Sequence, residues 1–158
     1  MTSTTDRPSF CQELAQTLAA TATPEAILPP DLPCSPLDLL IALHQEVLRS
    51  MLSNLSRAIH AGDAAKLVAV RCPEDALVQA QAHWTQGTAV LYIPDYKRAL
   101  DHYDAALAWY ERACQQLSPD VPARDVRVVQ IVRVFCLSEL GRYPEAHEAI
   151  DAAEAWLL

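Results

Sequence analysis

From Ser35 onward, apolar residues recur every three or four positions along the chain. Leu37, Leu40, Ile41, Val47, Leu48, Met51, Leu52, Leu55 and Ile59 keep that period over about six turns, which predicts one long amphipathic helix. Ser35 at the cap, Pro36 at the first helical position and Asp38 in the first turn mark its start. Gly62 reads as the glycine that stops it, with Asp63 capping a shorter helix through Leu67 and Val70. Pro73 then opens another helix. Glu74 and Asp75 suit the positive end of its dipole, and Leu77, Trp84 and Leu91 carry it to Ile93, where Pro94 stops it. Asp95 caps the next helix. Small and large apolar residues alternate there on one stripe, from Tyr96, Ala99, Leu100 and Tyr103 through Ala106, Leu107, Tyr110 and Ala113 to Cys114 and Leu117, with Ser118 and Pro119 ending it.

Residues 121–140 carry two readings. Val126, Val128, Val129, Ile131, Val132 and Val134 are β-branched and suit a strand. The apolar stretch continues through Phe135, Leu137 and Leu140, too long for a typical strand, and Gly141 falls where a helix stops. A helix is therefore predicted, apolar on nearly all sides and so expected to be buried between neighbours. Pro144, Ala146, Ile150, Ala153 and Leu157 make the last helix. Before Ser35 the picture changes. Residues 1–8 read as a flexible tail, and Phe10, Leu14 and Leu18 as a short helix. Thr21–Pro36 holds five prolines and reads as an extended linker or strap, because helix cannot run through them. The expected organisation is a tail, short helix and Pro-rich linker over 1–36, and an all-α domain of antiparallel hairpins over 37–158.

Composition narrows the function classes. The 158 residues are 51% hydrophobic, with 3 Gly against 11 Pro, which favours long helices over the Gly-rich turns of all-β chains. A net charge of -8 disfavours both nucleic acid and an anionic membrane surface as partners. Arg124, Arg127 and Arg133 form a local basic cluster, but Asp120 and Asp125 interrupt it, and it reads as a solvated helix face. The five cysteines, at 11, 34, 72, 114 and 136, are odd in number, form no CxxC pair and follow no secretory leader. Reduced thiols in a cytoplasmic protein are expected. The five histidines, at 44, 60, 83, 102 and 147, contain no HxxxH or HExxH pair. Asp101-His102-Tyr103-Asp104 reads as an exposed face with Tyr103 turned inward. With no phosphate-cradling Gly loop either, no catalytic residue, metal site or cofactor is expected, and the chain reads as a non-enzyme.

Two segments superpose. Asp95-Tyr96-Lys97-Arg98-Ala99-Leu100 with Tyr103 and Ala106 matches Arg142-Tyr143-Pro144-Glu145-Ala146-His147 with Ile150 and Ala153, at an offset of about 47 residues. Each copy resembles the second helix of a tetratricopeptide repeat (TPR), with Ala99 and Ala146 as the small residues of closest helix approach and Tyr96 and Tyr143 filling the hairpin end. Gly87 stands at the family's packing glycine and Trp84 one position from its usual aromatic. Gln130 and Val134 replace both in the second copy, and Glu111 stands in for the terminal Pro. The irregular repeats look like those of bacterial signalling proteins. The resemblance implies a short α-solenoid whose first helices line a groove for protein. By position that face comprises Gln81, Trp84, Thr85, Thr88 and Tyr92 in one copy, and Ile131, Val132, Phe135 and Glu139 in the other. The Lys, Asn and Arg that clamp a C-terminal carboxylate in one subfamily are missing, so an apolar groove taking a helix or an extended peptide is expected. The same side chains also suit a plain core role. The implied function is a protein-binding scaffold or adaptor, one part of a larger bacterial regulator. The alternative is a homodimer built on the apolar end Trp156, Leu157 and Leu158, which no polar capping helix follows.

Overall fold

The computed structural model describes residues 7–93, 95–116 and 121–155, with side chains from Phe10 onward. It is all-α. Among the described residues eight helices follow one another: α1 (Arg7–Ala19), α2 (Pro24–Ile27), α3 (Pro36–Ser50), α4 (Leu55–Val70), α5 (Ala76–Val90), α6 (Tyr96–Gln116), α7 (Ala123–Glu139) and α8 (Tyr143–Ala155). From α3 onward each helix packs on the next, giving three successive hairpins, and α3 also packs on α5.

The helix starts follow local chemistry. The Ser35 hydroxyl accepts the Asp38 N–H at 3.1 Å, Asn54 that of Arg57 at 3.1 Å, Asp75 that of Val78 at 3.1 Å and Asp95 that of Arg98 at 3.1 Å. Each satisfies an N–H that has no partner inside its helix. At the end of α7, Gly141 takes φ +70°. There Arg142 N–H donates to Leu137 O and Gly141 N–H to Ser138 O, the paired bonds by which a left-handed glycine closes a helix.

The predicted long helix is instead two. The chain turns at Met51–Asn54, and Asn54 caps a fresh helix. The apolar period runs unbroken through this corner because both helices face the same core, so periodicity alone hides the break. Gly62 consequently does not end a helix. It sits inside α4, where an added Cβ would lie 2.8 Å from Ala89 Cβ of α5. Its role is to let α4 and α5 touch backbone to backbone. Likewise α5 starts at Ala76, capped by Asp75, rather than at Pro73. The positions where Pro94, Ser118 and Pro119 were expected to stop helices lie outside the described residues.

Two apolar cores share one wall. The first gathers Leu18, Leu28, Leu39, Leu40, Leu43, Val47 and Val68 from α1, α3, α4 and the strap, each burial worth roughly 1.5–3 kcal/mol. The second gathers Leu100, Tyr103, Ala106, Tyr110, Val129, Cys136, Leu137 and Ala146. α5 serves both, giving Val78, Ala82 and Ala89 to the first and Ala80 and Val90 to the second.

Residues 10–36 are built into the first core rather than held apart as a linker. Ala15, Leu18 and Ala19 of α1 are fully buried. The Arg57 guanidinium ties three elements together, donating to the buried Glu46 carboxylate of α3 at 3.0 Å and to Gln16 O of α1 at 3.2 Å. Arg71 donates to the strap carbonyls of Leu28 and Pro29, acceptors left free because the prolines forbid a ladder. The expectation of five reduced thiols fails here as well: Cys11 and Cys34 are joined by a disulfide with Cα atoms 6.1 Å apart. Their separation of 23 residues concealed the pair, since spacing alone cannot reveal which Cβ vectors meet. Reduction, or Cys11→Ser, is expected to lower unfolding stability by about 2–3 kcal/mol. Urea titrations with and without dithiothreitol check this, and identical midpoints would mean that the bond constrains nothing.

Candidate functional site

The helical hairpin of α5 and α6 closes around Tyr103. Gly87 makes room for it: a Cβ there would stand 3.0 Å from the Tyr103 ring. Thr88 Oγ1 donates to Trp84 O at 3.0 Å, so its one proton is used. Tyr103 OH therefore donates to Thr88 Oγ1 across 3.2 Å. Burial pushes both Tyr103 and Tyr110 above their ordinary range, so both remain neutral donors.

A similar deduction fixes His44. Thr85 Oγ1 donates to Gln81 O at 2.8 Å, so it accepts from His44 Nδ1–H at 3.2 Å. His44 carries its proton on Nδ1, with its ring tilted against Trp84 at a centroid distance of 4.3 Å. Burial depresses its pKa to about 4, which keeps the ring neutral. On the far side of the hairpin, His83 Nδ1 and His102 Nδ1 lie 3.3 Å apart and share one proton. Burial, then the charge each would place on the other, then Arg98 depress His102 to about 4, while burial lowers His83. Asp101 of α6 opposes the shift and Lys66 of α4 adds to it. No sequence pattern links His44 to Thr85 or His83 to His102, because each pair meets only when separate helices pack.

These placements sort the residues expected to line a groove. Gln81 and Thr88 are each 5% exposed, and Thr85 is fully buried. The hydroxyls of Thr85 and Thr88 serve the internal hydrogen bonds just described, Gln81 lends only its backbone carbonyl to them, and burial withdraws all three side chains from a partner in this state. Trp84 is half-buried between His44 and the second core. Tyr92 at the end of α5 is 51% exposed, Phe135 45% and Ile131 66%, with Glu139 exposed beside them. Phe135 meets Tyr96 edge to face at 5.8 Å. Val132 is half-buried in the second core. The structure thus divides the expected face into a buried half on α5 and an open half on α7 with Tyr92. Trp156, Leu157 and Leu158 lie outside the described residues.

The helix α7 is not wrapped by neighbours on all sides, as its β-branched run implied. Val129, Cys136 and Leu137 point into the second core. Arg124, Val128, Ile131, Phe135 and Glu139, spaced by four, three, four and four residues, form a continuous exposed stripe on a single helix face. The sequence contains this spacing, but the apolar residues on the other faces of α7 mask it. Tyr103 and Leu100 of α6 fill the opposite side of α7, which explains why only one face needed covering.

A second concavity lies at the first core's edge. It is a cavity of about 530 Å³ lined by Leu32, Pro33, Ile41, Gln45 and the Cys11–Cys34 bond. Among the described residues, no three His, Cys, Asp or Glu side chains converge in a manner that would hold a metal ion. The comparisons with family models, curated proteins and solved structures find no match to this chain.

Proposed function

We propose that the chain is a non-catalytic protein–protein interaction module, a TPR-like scaffold or adaptor that takes a helix or extended peptide along the open face of α7 beside Tyr92. The observation that carries this reading is the exposure of Val128, Ile131 and Phe135 in one unbroken stripe on a single face of α7, with Tyr92 exposed just after α5. A contiguous apolar patch with polar ends is the usual surface of a protein interface. The TPR-like reading is supported by Ala99 and Ala146, buried near the starts of α6 and α8, and by Gly87 at the approach of α5 to α6. A cytoplasmic setting would require the Cys11–Cys34 bond to survive thiol reductants. Among the described residues no helix is long and apolar enough to cross a membrane.

The test uses a photo-cross-linking phenylalanine analogue at Ile131, in the cells that make the protein, with Glu111 on the exposed face of α6 as control. Adducts of defined mass are expected from position 131 and not from 111, reduced about tenfold by Phe135→Glu. Equal labelling from both positions would remove the reading.

A further inference from the structure

The exposed stripe of α7 has an internal symmetry. From its start to its end it reads basic, apolar, apolar, apolar, acidic: Arg124, Val128, Ile131, Phe135, Glu139. Reversed about the Ile131–Val132 position, it maps onto itself in complement. Glu139 falls on Arg124, Phe135 on Val128, and Ile131 beside its own copy. A surface that pairs with its own reverse is what an isologous two-fold interface requires.

Resting on the reading of α7 as an interaction face, we propose that its occupant is the α7 of a second copy of this chain, packed antiparallel across a two-fold axis between the Ile131 and Val132 positions. Val128 of each copy then packs on Phe135 of the other, Ile131 meets Ile131, and Arg124 pairs with Glu139 at both ends. Arg127, exposed beside Val128, lays its aliphatic stem over the opposing Phe135. Neither Arg124, Arg127 nor Glu139 is engaged in an ion pair among the described residues, whereas Arg133 on the adjacent face is already bound to Asp104. The 17 residues of α7 span about 25 Å. A seam of that length buries roughly 1,000 Å², the low end for specific interfaces. The net charge of -8 on each copy opposes approach. The dimer is therefore concentration-dependent and strengthens as salt screens the long-range repulsion.

The charge pattern sets the test, since a two-fold seam makes each pair twice. Light scattering over a concentration series is expected to show monomer passing to dimer in the unaltered chain. Arg124→Glu places like charges at both ends, as does Glu139→Arg, and each is expected to weaken self-association by about tenfold or more. An equimolar mixture of the two variants restores both pairs and is expected to dimerise, as is the double variant. Far-ultraviolet circular dichroism confirms that each variant is folded. A dimer indifferent to either variant, or one abolished by Trp156→Glu, overturns the proposal by placing self-association elsewhere. A chain monomeric at all concentrations that still yields adducts from Ile131 with another protein overturns the self-pairing alone. If position 131 yields no adduct of any kind, the interaction reading falls with it.

Discussion

Acidification from pH 7 to pH 5 is expected to lower the unfolding free energy by about 2 kcal/mol through His44 alone, with a further contribution from His83 and His102. Burial holds the folded pKa of His44 at about 4, against an ordinary value of 6.5. The native state therefore binds its proton less readily than the unfolded chain does. Stability from this source is complete above pH 6.5 and is lost as pH falls through that value towards 4. The loss reflects the desolvation of the charged ring inside the α3–α5 contact. His83 and His102 act in the same direction, since burial disfavours charge on both rings and charging both would put like charges 3.3 Å apart. Both are half-exposed, so solvent screens part of their effect. Urea titrations at half-unit steps of pH measure the slope. His44→Gln should flatten it over this window, and an unchanged slope in that variant would show that the ring is protonated in the native state at no cost.

Tyr103→Ala should be the most damaging single substitution in the C-terminal half, at about 4 kcal/mol. The ring is fully buried, lies in the notch over Gly87, and belongs to the second core with Leu100, Val129 and Leu137. No neighbouring backbone can collapse into the space, because α5 and α6 are already at contact distance. Tyr103→Phe separates packing from hydrogen bonding. It removes a donor to Thr88 while leaving Thr88 bonded to Trp84 O, so a cost of only about 1 kcal/mol is expected. Comparable losses from both variants would mean that the hydroxyl, and not the ring, holds the hairpin.

The fold class and the starts of α3, α6 and α8 were legible because they depend on local chemistry. Ser35, Asp95 and Gly141 behave as capping residues must, and the Tyr96 stripe buries Ala99, Tyr103, Ala106 and Tyr110 as its period requires. What escaped depends on helices meeting. A corner at Met51–Asn54 leaves no gap in apolar period when both arms face one core. A packing glycine such as Gly62 looks like a helix stop until Ala89 is placed against it. The cysteines at 11 and 34 pair only because the strap folds back over α1 and α3. The open face was half legible. Repeat position points to Tyr92, Phe135 and Glu139, which are exposed, and equally to Gln81 and Thr88, which the packing of α5 buries. Arg124 and Arg127 were read as a solvated face, and their relation to Glu139 emerged only once Ile131 and Phe135 were known to share it.

The common wall formed by α5 has a consequence for motion. The first core is closed by a disulfide, a buried carboxylate clamped by two arginines and a close α4–α5 seam. The third hairpin gives the second core Val129, Cys136, Leu137 and Ala146, with Val126, Val132, Val134 and Ala149 packed against them, but among the described residues neither a disulfide nor a buried ion pair fastens it. Opening that hairpin leaves the first core and its half of α5 intact, so the chain divides into a slow-exchanging N-terminal unit and a C-terminal unit whose amide hydrogens exchange through cheaper, local openings. The helix proposed as the interaction face thus belongs to the part of the molecule most able to adjust its pose, and occupancy of its outer face would be registered as slowed exchange along α7 and α8 without any change in the unit that carries α3 and α4.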